Sequence, residues 1–286
     1  MKILIRNGRV MDPASGFDQQ ADIAIDGSVI AAIGSVPAGF VAEREIDAAG
    51  QWVLPGLVDL AVRLREPGHE HEGMLQSEMA AAVAGGVTSL VCLPDTDPVL
   101  DEQGLVEMLK FRAEKQHKSR LFPMGALTVG LKGETLTEMA ELTESGCVAF
   151  GQADVPLPSI TTLSRALAYA NTFGYAVWLR PQDKDLGKGV AASGALATRM
   201  GLAGVSVAAE TIALHTIFEL IRGSQTRVHL SRLSSAAGVE LVRKAKAEGR
   251  LPFELPSSMA AVKAQASDKP YDSADPLYRF GYRLEP

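Results

Sequence analysis

Two cysteines, Cys92 and Cys147, are all the thiol chemistry the chain carries. Both sit in apolar, strand-like runs, so they read as reduced core thiols of a cytosolic protein rather than as a zinc pair. Histidine is scarce too, at five residues. There is no basic excess: 28 Lys and Arg stand against 34 Asp and Glu, a net charge of −6. That balance argues against nonspecific nucleic-acid binding, which needs a basic surface. No apolar run is long enough to span a bilayer, and Met1-Lys2-Ile3-Leu4-Ile5-Arg6 is charged within its run, unlike a signal peptide. Neither a P-loop nor a GxGxxG after a strand is present. What remains is an ordinary globular balance, 47% hydrophobic and 22% charged over 286 residues, enough for one large domain or two small ones.

The rhythm of the chain changes near Val53. Residues 1–52 are rich in short β segments, with Asn7-Gly8 and Asp26-Gly27 expected as hairpin turns. From 53 onward, strand-like runs at 53–60, 87–93, 120–129, 147–150, 175–179 and 227–233 alternate with amphipathic segments at 74–86, 102–118, 134–146, 159–174, 206–223 and 235–249. Several of these segments end in glycine, a helix C-cap signal. Six βα units imply a parallel sheet covered by helices. After Gly249 the periodicity fades; Leu251–Leu255 is a candidate seventh strand and no eighth unit is visible.

The chemistry is concentrated in Trp52 to Gly68, WVLPGLVDLAVRLREPG. Alternate residues of a strand share a face. A strand ending in His-x-His would therefore aim two imidazoles at one metal ion. Here those two places hold Ala61, which has no lone pair to offer, and Arg63, a permanent cation.

Pro55, Gly56, Val58, Asp59, Arg65, Glu66, Pro67 and Gly68 nevertheless match the first barrel strand of the dihydroorotases, cyclic amidohydrolases whose pattern there is Pro-Gly-x-(Val/Ile)-Asp-x-His-x-His-x-Arg-Glu-Pro-Gly. The chain resembles that family. The resemblance implies an α/β fold with a (β/α)8 TIM-type barrel over residues 53–286, its C-terminal units incomplete, preceded by a small β-sandwich portion over 1–52. It also implies that working residues stand at the C-terminal ends of the barrel strands.

At those ends the family's ligands are replaced. The best alignment puts Arg180 and Arg232 where two further strands of the family carry metal-binding histidines, so the ligand positions hold Ala61, Arg63, Arg180 and Arg232. Gln152 and Ala153 stand at the family's acidic positions, and Asp154 reads as a loop carboxylate. Asp95 stands where the family has an asparagine that helps the arginine matching Arg65 to bind a substrate carboxylate. Arg65 and Asp95 are thus the candidate anion site, with Asp95 expected to turn toward Arg65. Three arginines at ligand positions would repel a divalent ion, held in place by Asp59, Asp95 or Asp183. No Ser/His or Cys/His device is present to replace a metal. His69 and His71 read as a surface loop, His215 as packing and His229 as a core residue.

The resemblance implies no cofactor, although active relatives use zinc. It points to a non-catalytic dihydroorotase-like protein of pyrimidine biosynthesis, cytoplasmic, a structural partner of the aspartate transcarbamoylase catalytic chain and itself possibly oligomeric. The alternatives are an active dihydroorotase hydrolysing dihydroorotate to carbamoyl aspartate at an altered site, and an anion sensor using Arg63, Arg65, Arg180 and Arg232.

Overall fold

The computed structural model describes residues 1–248, in two units divided between Leu57 and Val58. The Leu251–Leu255 strand expectation lies outside the described residues. The first unit is a mixed five-stranded sheet. Strands β1 (Lys2–Asp12), β2 (Phe17–Asp26) and β3 (Val29–Gly34) form an antiparallel meander, while β4 (Arg44–Asp47) and β5 (Trp52–Val53) pair in parallel with β1. Registration places Ile46, Ile5, Ile23 and Ile33 side by side across four strands, an apolar row suited to one face of a pleated sheet. The described residues supply one layer of the expected sandwich.

One turn expectation is corrected. Asp26-Gly27 does turn the chain between β2 and β3, with Gly27 at φ 63°. Asn7-Gly8 lies inside β1 as a bulge, with Asn7 at φ 61° and the register shifting between Ile5 and Gly8. A left-handed Asn suits a bulge as well as a turn, so the dipeptide alone does not distinguish them. Close packing adds a demand for glycine, because a Cβ at Gly8 would press on the Val53 side chain.

The second unit alternates strands and helices: β6 (Leu57–Val62), α1 (Leu75–Ala84), β7 (Val87–Cys92), α2 (Gln103–Glu114), β8 (Arg120–Ala126), α3 (Met139–Glu144), β9 (Ala149–Gly151), α4 (Ile160–Phe173) and β10 (Ala176–Leu179). An excursion follows, with β11 (Ala191–Ala192), α5 (Ala195–Arg199) and β12 (Gly204–Val205), and then α6 (Val207–Leu220), β13 (Arg227–Leu230) and α7 (Ala236–Ala247). The six main strands lie in the order β13-β10-β9-β8-β7-β6. Each strand therefore neighbours the one before it, the singly wound order of a TIM-type barrel. The helix ends obey local rules: Ser159 Oγ accepts from the Thr162 N–H (3.1 Å) at the start of α4, and Gly174 closes that helix at φ 71°.

Alternation sorts the strand side chains onto two faces. Leu90, Cys92, Phe150, Val177, Leu179, Val228 and Leu230 pack with helix residues such as Met79, Leu109, Leu163 and Leu214 in the main core. Val91, Met124, Ala149 and, beside them, Ala61 and Trp178 form a second cluster from the alternate positions. Two expectations differ from the structure. Helix α3 is only six residues long, because 128–137 is spent on an irregular loop in which Thr128 bridges to Leu136 and Thr137 Oγ1 donates to the Ala126 carbonyl (2.6 Å). The excursion carrying α5 has no counterpart in the sequence reading, its periodicity being diluted by glycine and alanine.

Candidate functional site

The C-terminal strand ends gather five charged side chains into one cluster. Arg63, just past β6, donates from Nε to Asp95 Oδ2 (2.7 Å) and from Nη2 to Asp154 Oδ2 (2.6 Å). Arg180, just past β10, donates from Nη1 to Asp154 Oδ1 (3.1 Å). Arg232, beyond β13, donates from Nη1 to both oxygens of Asp154 (2.7 Å each). Burial by itself would raise the Asp154 carboxyl, but Arg232, Arg63 and Arg180 outweigh it and hold the group below the usual carboxylate range. Burial likewise works against the Arg63 charge, and Asp95 and Asp154 more than restore it.

Each residue singled out from the sequence has a definite place. Ala61 packs its methyl against the second apolar cluster. Asp59 accepts from the Ala61 N–H (2.9 Å) and lies within the field of Arg232; burial dominates and raises its carboxyl. Arg65 and Asp95 both line a small cleft with Arg63, His69, Cys92 and Thr96, yet Asp95 pairs with Arg63, and Arg65 pairs with Glu72 (3.0 Å). This corrects the expected turn of Asp95 toward Arg65. Strand alternation ends at Val62 and Arg65 adopts φ 64°, so its side chain leaves the face that Arg63 occupies. The second oxygen of Asp95, Oδ1, is buried without a hydrogen-bond partner among the described residues.

Asp154 is the member of this cluster that the sequence does not place there. From the sequence it reads as a loop carboxylate; in the structure it is the shared partner of three arginines. The available signal was the arithmetic of charge: three arginines aligned at one rim require acids nearby, and Asp154 follows β9 closely. Asp183, an expected holder of the arginines, caps a turn by accepting from the Asp185 and Leu186 N–H groups (3.0 and 2.9 Å). Gln152 is buried and accepts from Thr128 N and Oγ1 (3.1 and 2.9 Å). Glu66 accepts from the Leu75 N–H at the start of α1 (3.1 Å) and pairs with Arg112 (3.1 Å), a structural role. Gly68 stands at φ 98° against the Asp97 backbone, where a Cβ has no room. His215 is exposed rather than packed. His229 is buried with its ring 4.7 Å from that of Trp178.

The donor set that the described residues place at the strand ends does not suit a divalent ion. A guanidinium has no lone pair to coordinate with, and among the described residues no three His, Cys, Asp or Glu side chains converge on one point. The cysteines are equally unreactive, both thiols being pushed up to about 12 by burial. Native protein is therefore expected to resist a thiol reagent at neutral pH and to release two equivalents only on unfolding; rapid labelling of the native state would contradict that burial.

Among solved structures, the fold is similar to the L-hydantoinase of Arthrobacter aurescens, with a TM-score of 0.73 at 22% identity, covering 87% of this chain and 56% of that one. It is also similar to a dihydropyrimidinase from Brevibacillus agri, with a TM-score of 0.63 at 23% identity and the same coverage, 87% and 56%. Strand order and these neighbours define an α/β fold shared with the hydantoinases. Residues 50–237 match the dihydro-orotase-like family, and the chain belongs to it. Curated relatives include a "Dihydroorotase-like protein" of Pseudomonas putida at 48% identity and a "Dihydroorotase" of Syntrophotalea carbinolica at 39%, each over 87% of this chain. The chain spans 59% of the length of those relatives. Among the described residues no helix is long and apolar enough to cross a membrane.

Proposed function

We propose that this chain is a non-catalytic, cytoplasmic dihydroorotase-like protein of pyrimidine biosynthesis, acting as a structural subunit that supports the assembly of aspartate transcarbamoylase. One observation carries the reading: the places expected to bind metal hold Ala61 and three arginines whose charges are spent on Asp154 and Asp95. Hydrolysis of a cyclic amide at neutral pH needs a polarised carbonyl and an activated water, which a metal supplies in this chemistry. No zinc is expected at this rim, and among the described residues the one thiol lining the cleft, Cys92, is held protonated by burial. A scaffold that keeps its frame while losing its ligands suits a role in binding another protein. The six-stranded sheet is read as part of a (β/α)8 TIM-type barrel.

Two measurements test the proposal. Purified protein is expected to contain no stoichiometric zinc and to leave dihydroorotate unhydrolysed; zinc together with turnover would establish the active alternative. Mixed with the transcarbamoylase catalytic chain of its own organism, it is expected to co-elute as a larger assembly on size exclusion. Separate elution at micromolar concentrations would count decisively against the partnership.

A further inference from the structure

Among the described residues, the two outermost strands of the six-stranded sheet lead to arginines that grip the same carboxylate. Strand spacing would put the edges of a flat six-stranded sheet about 24 Å apart. Arg63 follows β6 at one edge, Arg232 follows β13 at the other, and both reach Asp154, which follows β9 in the middle. Curling of the sheet shortens the spans from each outer strand to the middle one. Asp154 accepts four charge-assisted hydrogen bonds from three guanidiniums, between 2.6 and 3.1 Å. That is the arrangement by which arginines bind a carboxylate ligand.

The backbone is bent to achieve it. Ala153, immediately before Asp154, stands at φ 49°, and Arg232 stands at φ 56°. Left-handed conformations in non-glycine residues persist only where the surroundings enforce them. Here they aim one acid and one base at the same point. The donors are not exhausted: among the described residues, Arg180 gives a single hydrogen bond of the five its guanidinium can make.

We propose that the rim is a carboxylate receptor already filled by the protein's own side chain, with Asp154 as a tethered internal ligand that ties both edge strands together. The occupied receptor holds the curl without a metal ion and turns away external carboxylates while Asp154 is seated. The cluster stands on its geometry alone, so a failure to bind a transcarbamoylase leaves it unaffected.

Emptying the receptor tests it. Asp154→Ala removes the internal ligand and leaves three guanidiniums around a small void. Its thermal midpoint is expected below that of the native protein and is expected to rise with sodium acetate more than with sodium chloride at equal ionic strength. Acetate is expected to bind the variant at least about tenfold more tightly than the native chain, about 1.4 kcal/mol. A folded variant that responds to acetate and chloride alike overturns the proposal, as does an equal acetate-specific rise in the native protein. A second measurement needs no variant. Carboxyl-carbon NMR of the intact protein, with Asp59, Arg63, Asp95, Arg180 and Arg232 all in place around the group, is expected to show Asp154 ionised below the ordinary aspartate range. Titration at the ordinary value overturns the proposal even if Asp154→Ala fails to fold.

Discussion

Replacing Glu210 with alanine is expected to destabilise the protein by roughly 3–5 kcal/mol, read as a lowered midpoint in urea unfolding. Glu210 lies on α6, is 7% exposed, and reaches the loop between β13 and α7. Its Oε2 accepts from Ser234 N and Oγ (2.7 and 2.8 Å), and its Oε1 from Ser235 N and Oγ (3.1 and 2.5 Å). Ser235 in turn caps α7, its Oγ accepting from the Gly238 N–H (2.9 Å). Truncation leaves two backbone N–H groups without their acceptor and a cavity beside them, each costing on the order of 1–3 kcal/mol. A Cβ at position 238 would collide with Glu210 Oε1, which is why that turn of α7 is glycine. Because Arg232 lies two residues before Ser234, the same anchor steadies the rim. Glu210→Gln keeps the shape but gives up one acceptor, so it is expected to lose less than alanine does. A loss below about 1 kcal/mol for Glu210→Ala would show that the loop is held by something else.

The second large effect is a loss of stability in mild acid that traces to His229. Burial pushes this imidazole down to about 4 from its ordinary 6.5, beside Trp178. The unfolded chain takes up a proton near pH 6.5 while the folded chain does not until about pH 4. Stability is therefore full above pH 6.5, declines as the pH falls through that window, and levels off below about 4. The accumulated loss is roughly 3–4 kcal/mol, at about 1.4 kcal/mol for each unit of separation. Denaturant unfolding across this range should show the decline, and His229→Gln should flatten it. An unchanged slope in that variant would assign the acid sensitivity elsewhere. Asp154 acts in a different window: its depressed carboxyl stabilises the fold above the ordinary aspartate range, and that contribution is lost as the pH falls through its lowered value.

Much of the architecture was legible because its signals are local. Alternating apolar runs and helical periods mark the units from β6 to α7, and Ser159 and Gly174 bound α4 as caps do. Asn7-Gly8 misled because the same dipeptide serves a turn and a bulge. Helix α3 was overestimated because a helical period continues through a stretch whose polar groups are claimed by Thr128 and Thr137. At the rim, the replacement of ligands by Ala61, Arg63, Arg180 and Arg232 could be read directly. The acid that partners three of them could not. Asp154 stood one residue beyond the aligned acids, and nothing local reveals that Ala153 is left-handed.

The sequence by itself determined the family frame from Pro55 to Gly68, the βα alternation, and the residue types standing at the strand ends. These depend on side-chain identity and on periods of two or about 3.6 residues, which a linear chain displays in full. The tertiary structure alone decided which charges meet. Arg63, Asp95, Asp154, Arg180 and Arg232 come from five separate strand ends. Their pairing depends on the curl of the sheet and on a few backbone angles, neither of which any single segment specifies. It was the fold that turned Arg65 toward Glu72, gave Asp95 to Arg63, and set Asp154 among three guanidiniums.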